Sequence, residues 1–449
     1  MSGVSRGRRA CSGTCTRGCT SSRSHRHPRL HPRHGGFSLV EMMIAIVLGL
    51  LVSIALVSMF VGVRSASRMT SGVGALSDSG RFALDSIEES VRGAGNFACN
   101  STAPVAVAGT AVARQLSLLT PGASPLVTDF GEPLSGYEAK NTGPGQAITV
   151  SAAPGVDANV DDWTTTPALG SALDAVLVSP PVPQGAAAPV GSLVGGSDIL
   201  VIHETEPATA PAYATQDTAG TSAFTVNSSS VFSANGGQLG VISNCVQMEV
   251  FQVQTFNPGA GSGVISLTGG MATPGNSAGS LPTDPDFTIG AEVEPADSIV
   301  YYIGVGADGD GALFKYETNG GVFGVNDGYS VNEELVPDVE NMQILYGVET
   351  SLSQVTQTVA QYVTADQVAN YSQTGDFNGV ISVKIALLVA SPPTAVQPTA
   401  VAAASAATCS PPVVGELPCL EQTTWQMAAP DSRLRKVYEQ TMYLRDMSP

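Results

Sequence analysis

Residues 42–63 form a run of 22 uncharged, mostly apolar side chains, broken at its C-terminal end by Arg64 and preceded at its start by Glu41. At ~1.5 Å per helical residue the run reaches roughly 33 Å, enough to cross the hydrocarbon core of a bilayer. It is longer than the apolar core of a cleaved secretory signal, about 7–15 residues, and no clean A-x-A site follows it, so the pattern predicts a span that is kept. No proline occurs between Phe37 and Ala103, and a helix is predicted to continue to about residue 93. Gly72, Gly74 and Gly80 each weaken it by up to ~1 kcal/mol relative to Ala, which predicts a loosened turn near residues 71–74. Beyond them Ala83, Leu84, Ile87 and Val91 share one face with charges opposite, the stripe of a helix that docks on a sheet.

After residue 98 the helical period disappears. Apolar runs bounded by Gly, Pro, Asn and Asp predict strands at 147–150, 199–203, 246–256, 264–267, 299–305, 342–348, 381–389 and 437–444. Residues 101–197 and 391–418 are dominated by Ala, Gly, Pro, Ser, Thr and Val. They read as surface loops or a loosely strand-forming insertion rather than core. The predicted fold class is α+β, a long N-terminal helix followed by a largely antiparallel β head. The predicted organisation is a leader at 1–36, a helix at 37–97 that spans the membrane over 37–63 and is amphipathic over 64–97, and a head at 98–449 with an insertion at about 101–240.

The residues before the span are equally ordered. A basic segment is followed by Gly35-Gly36-Phe37-Ser38-Leu39-Val40-Glu41. A glycine before a scissile bond lets the backbone lie extended in a narrow protease cleft. An ionisable group at the edge of an apolar span is costly without a partner, which marks Glu41 as a functional residue. The arrangement resembles the cleavage and methylation site of type IV prepilins. The resemblance implies that a membrane peptidase cuts Gly36 from Phe37 and methylates the new Phe37 amine, and that Glu41 meets the Phe37 amine of a neighbouring subunit during assembly.

Further along, Gly80-Arg81-Phe82-Ala83-Leu84-Asp85, Val91-Arg92-Gly93-Ala94-Gly95 and Cys99 are similar to the post-helix signature of PilW-type minor pilins. The stretches 298–305, 313–316, 336–348 and 433–445 carry the same resemblance. It implies a non-enzymatic subunit whose partners are other pilins, the prepilin peptidase, the inner-membrane assembly platform and a tip adhesin. The implied location is the inner membrane, single-pass with a periplasmic head, and then the pilus, at its tip. Minor pseudopilins of type II secretion systems share the N-terminal motif and are the nearest alternative. A membrane-anchored periplasmic enzyme or binding protein is a remote one.

Charge supports export. The first 36 residues hold eight Lys and Arg and no Asp or Glu, leaving 12 basic against 38 acidic side chains and a formal net charge of −26 in the remainder. Basic before the span and acidic after it fits a leader retained in the cytoplasm. Such an acidic head lacks the Lys and Arg clusters that neutralise phosphates, so it is not a direct nucleic-acid binder. The leader is long for a prepilin, which suggests that translation begins nearer Leu30, and its Cys11, Cys15 and Cys19 leave with it.

Four cysteines remain, Cys99, Cys245, Cys409 and Cys419. An even count in an exported chain is compatible with two disulfides in three pairings. Cys409 and Cys419, ten residues apart, form the local candidate, leaving Cys99 with Cys245; buried free thiols are the alternative. No zinc spacing occurs. No catalytic residue is expected, because His203, the one histidine after the leader, cannot supply a catalytic framework alone. The acidic stretches at 307–311 and 157–162 have oxygen donors but lack the closing glutamate of an EF-hand. The first reads as a hairpin turn, calcium being the minor alternative at both, and no cofactor is expected. There is no GxxxxGK[ST] motif, so the chain is not the assembly motor.

Overall fold

The computed structural model describes residues 38–98, 105–107, 110–112, 115–120, 130–150, 163, 190–205, 211–244, 247–269, 274–283, 287–318, 331–348, 358–372, 376–392, 424–427 and 433–444. The chain divides into two compact units, Met1–Val61 and Gly62–Pro449.

A single α-helix covers Leu39–Gly93, 55 residues. The loosened turn expected at 71–74 is absent: the helix is unbroken, and Gly72 is among its buried residues. The propensity cost of a glycine, at most ~1 kcal/mol, is small beside what packing of an apolar face contributes. The helix stops at Gly93, and Gly95 adopts φ +73°, the left-handed conformation that ends helices.

The second unit is built around two antiparallel-rich sheets. In the larger, the 14-residue strand Glu292–Val305 is the axis. Its C-terminal part lies between Gly311–Glu317 and Ile199–Thr205, and its N-terminal part pairs with Leu239–Ser243 and Ala212–Tyr213. Val331–Pro337 extends the sheet on one side, and Met248–Gln252 followed by the parallel Gln115–Ser117 on the other. The smaller sheet runs Gln361–Val363, Val339–Val348, Val380–Ala390, Arg435–Tyr443. Strand structure occurs in all eight predicted runs, but 246–256 divides into Met248–Gln252 of the larger sheet and Thr255–Pro258 of a separate one, and the strand expected at 299–305 begins at Glu292.

The helix and both sheets share one core. Ala83, Leu84, Ile87 and Val91 meet Leu200, Ile202, Ile299 and Tyr301 of the larger sheet and Ile344, Val383, Ile385 and Leu387 of the smaller. The predicted apolar stripe is therefore the face that docks. A second core, around Phe224, Phe232, Phe251, Phe256 and Phe287, lies under a three-stranded sheet of Thr255–Pro258, Gly263–Ser266 and Ala223–Val226.

This module takes Ala223–Val226 from the tract 101–240 and its other two strands from beyond it. Strand Leu134–Tyr137 of that tract pairs with Ile199–Thr205 and brings Leu134 into the core shared with the helix, while Trp163 and Phe130 are fully buried in two further clusters. Isolated large side chains in an Ala- and Gly-rich tract leave no periodicity to read, yet Trp163 has a specific place, its Nε1–H donating to the Ser197 carbonyl at 2.9 Å.

The smaller sheet is tied to the larger at an open edge. Beyond the reach of Gln361–Val363, Asp198 donates its N–H to the Met342 carbonyl at 2.9 Å. Its carboxylate accepts from Ile344 N–H at 2.8 Å, and the Ser197 hydroxyl accepts from Met342 N–H at 2.9 Å. Side-chain oxygens thus take the place of a missing ladder partner.

Candidate functional site

The helix begins at a reciprocal hydrogen-bonded pair. Glu41 N–H donates to Ser38 Oγ at 3.2 Å, Ser38 N–H donates to Glu41 Oε2 at 3.4 Å, and Met42 N–H donates to the Ser38 carbonyl at 3.1 Å. This is a capping box, in which two donors left without intrahelical acceptors are satisfied at once. Its S-x-x-E spacing stands in the sequence, so Ser38 could have been found there. Gly36 and Phe37 lie outside the described residues, directly before this cap. From Ser38 to Arg64 every side chain is exposed, and the most apolar window of the helix has a mean hydropathy of 2.9 with none of it buried. By length and composition it is able to cross a membrane.

The C-terminal half of the helix is held by polar contacts as well as by its stripe. Tyr301 OH lies 2.8 Å from Ser90 Oγ and donates to the Ser86 carbonyl at 3.2 Å. Gln440 Nε2 donates to Glu88, which also pairs with Arg92.

A second polar cluster forms the corner where the chain passes between sheets. Strands Val331–Pro337 and Val339–Val348 are separated only by Asp338, at φ +63°, a conformation Asp tolerates better than most residues. Arg433, its side chain 8% exposed, reaches Asp310 at 2.8 Å, also pairs with Asp338, and donates Nε–H to the Ser391 carbonyl at 2.7 Å. Arg435 grips Glu340 with two bonds of 2.7 and 2.8 Å. The hairpin expected at 307–311 is present, with Gly309 at φ +89°. Carboxylate oxygens of Asp308, Asp310 and Asp338 lie within 4.8 Å of one another, but Arg433 already neutralises two of the three. The other acidic stretch, 157–162, lies outside the described residues.

His203 is a buried structural residue. Its Nδ1 lies 2.9 Å from Ser298 Oγ and its ring 4.9 Å from that of Phe130; burial pushes its pKa down to about 3, so the imidazole is neutral. Cys99, Cys245, Cys409 and Cys419 all lie outside the described residues.

Arg433, Asp198 and Ser38 are the residues sequence reading missed. For the first two no local signal exists, because the carboxylate partners of Arg433 lie 95 and 123 residues away and the carboxylate contacts of Asp198 lie 59 and 146 residues away.

Two family models match the chain. Residues 300–446 match that described as Type IV Pilus-assembly protein W, and residues 31–62 match that described as Prokaryotic N-terminal methylation motif. No curated protein and no solved structure matches. The first match takes in Asp310, Asp338, Glu340, Arg433 and Arg435, and the second takes in Gly36, Phe37, Ser38 and Glu41. Together they are consistent with a PilW-type pilin.

Proposed function

We propose that this type IV pilus-related pilin is a minor subunit, processed between Gly36 and Phe37, methylated at Phe37, and placed at the tip of the pilus, where it helps to initiate assembly. The observation that carries the reading is the helix Leu39–Gly93: capped at Ser38 directly after the cleavage motif, uncovered through its apolar first half, and packed into a β core through its second.

The mechanism is mechanical. Uncovered apolar helices lie side by side, first in the bilayer and then in the filament, and Glu41 selects register by meeting a neighbour's Phe37 amine. Alone, Glu41 is satisfied by Ser38, so the exchange of one hydrogen-bonded partner for a charged one favours the assembled state. The partners of this reading are other minor and major pilins, the prepilin peptidase, the inner-membrane platform and a tip adhesin, and the head is periplasmic before assembly. No step needs a cofactor, and a calcium ion at Asp308, Asp310 and Asp338 would have to displace Arg433. Tip placement is supported by size. A head of about 350 residues has a radius of gyration of roughly 20 Å against about 13 Å for 100 residues, too wide to tile easily along a closely packed shaft.

Mass spectrometry of protein recovered from sheared pili tests the reading. An N-methylated Phe37 terminus at low copy number is the expected result; an intact leader, or gold label spread evenly along the shaft, would overturn it.

A further inference from the structure

Beyond the apolar run, the helix turns one face away from the head, and that face carries a regular charge pattern. Residues 64, 71, 78 and 85, seven apart, are Arg64, Ser71, Asp78 and Asp85, and beside them residues 68, 75, 82 and 89 are Arg68, Ala75, Phe82 and Glu89. All are exposed except Ala75, which is half-buried, whereas Leu76, Gly80, Ala83, Leu84 and Ile87 of the opposite face are buried. A line of residues seven apart turns by only ~20° per repeat on a straight helix, so the two lines make one seam. Between Glu41 and Asp78 the only charged side chains are Arg64 and Arg68, while the stretch from Asp78 to Arg92 holds four acids against Arg81 and Arg92. Arg92 pairs with Glu88 within the helix, and Arg81 lies off both lines. The seam is thus cationic next to the apolar run, small at Ser71 and Ala75, and acidic at its far end around Phe82, itself 55% exposed.

We propose that this seam docks a second copy of the chain raised by 21 residues along the helix axis, so that Arg64 and Arg68 of the raised copy meet Asp85 and Glu89 of the lower one. Asp85 follows Arg64 by 21 residues and Glu89 follows Arg68 by the same 21. Parallel helices offset by that much, roughly 32 Å, therefore set both arginines against both acids. In register, the same seam sets arginine against arginine and acid against acid. Copies anchored in one bilayer lie at one depth, so the membrane holds them in the repelling register, and the attractive one opens only when one copy has been lifted by about the length of its span. The contact rests on the pilin reading above and adds a register to it. Glu41 serves another neighbour, because reaching a Phe37 amine four residues away sets an offset of only about 6 Å. The occupant is a second copy because one helix carries both halves of the contact, an arginine pair and an acid pair at the same spacing. Anionic lipid headgroups would satisfy the arginines and leave the acid pair without a role. Two copies suffice, in keeping with a subunit of low copy number.

Photo-crosslinking of the full chain in piliated cells tests the seam, with Ser71→p-benzoylphenylalanine as the probe and adducts mapped by mass spectrometry on isotopically mixed copies. Adducts from position 71 to the neighbourhood of Arg92 in another copy are expected in sheared pili and not in the membrane fraction. Arg64→Glu with Arg68→Glu should lower that adduct by about tenfold, exposed ion pairs being worth up to roughly fivefold each. Asp85→Lys with Glu89→Lys should lower it as much, and the four changes together should restore it. All four positions are exposed, and the adduct map of the unreversed chain decides the register even without the variants. Adducts from 71 to 71, equal yields in membranes and pili, or no restoration by the fourfold variant would each overturn the proposal. Loss with the arginine reversal alone would overturn it too, by assigning the arginines to lipid headgroups or to another protein. Protein present in sheared pili without the adduct would sink this contact and spare the pilus reading, whereas wild-type protein absent from sheared pili would sink both.

Discussion

Tyr438 lies against Gly80 so closely that a β-carbon on the glycine would sit 2.4 Å from the tyrosine ring. The last strand of the smaller sheet therefore approaches the helix backbone directly, and Lys436 lies 4.6 Å from the centre of the same ring. Gly80→Ala should destabilise the head despite its helix-propensity gain of up to ~1 kcal/mol, since overpacking costs typically 1–3 kcal/mol. A net loss of about 1 kcal/mol in urea unfolding is expected. Gly74→Ala, where nothing lies within 4 Å, should instead stabilise by a few tenths to ~1 kcal/mol. The same sign for both would show that the contact has no energetic role.

Arg433 pairs with both Asp310 and Asp338. Removing it leaves Asp338 and Asp310 without the charge that neutralises them, and breaking a buried pair from one side costs roughly 3–5 kcal/mol; Asp310 is partly exposed, which places Arg433→Ala toward the lower figure. Denaturant unfolding with a loss under ~1 kcal/mol would assign the network to the surface class of ion pairs.

Glu41→Ala removes the acidic charge at the start of the apolar span. Membrane insertion should be unaffected or easier, while recovery in sheared pili should fall. Ser38→Ala, which loses only the cap, should weaken the helix start by about 1 kcal/mol and leave incorporation largely intact. Equal recovery of Glu41→Ala and wild type would show that the carboxylate has no part in assembly.

The head should be more stable near pH 5 than at pH 8. Burial raises Glu204 and Glu249 to about 7. Groups whose folded pKa is raised bind more protons in the folded state, so their stabilisation is full below the unfolded value and is lost as pH rises through about 7. His203 works oppositely: with its folded pKa near 3, its contribution is lost as pH falls from about 6.5 toward 3. Thermal unfolding should show a maximum between these limits, and Glu249→Gln should flatten the alkaline side. A melting temperature that climbs steadily from pH 5 to pH 8 would contradict the assignment.

Non-reducing peptide mapping of periplasmic material should give Cys409–Cys419 and Cys99–Cys245. Free thiols at all four positions would refute both bridges.

Local patterns in the sequence determined the parts of this protein whose physics is local. The uncharged run at 42–63, the motif Gly36-Phe37-Ser38-Leu39-Val40-Glu41, the stripe of Ala83, Leu84, Ile87 and Val91 and eight strand-forming runs each satisfy a periodicity or a length requirement within a few turns of chain. What the tertiary structure decided depends on partners far apart in sequence. Continuity through Gly72 comes from packing, which outweighs a propensity of ~1 kcal/mol. Trp163 and Leu134 enter the core from a tract whose composition hides them, and Arg433 finds Asp310 across 123 residues. Nothing in the sequence around Asp198 and Glu138 marks them as buried, because burial is a property of the assembled layers and not of the residue or its neighbours in sequence.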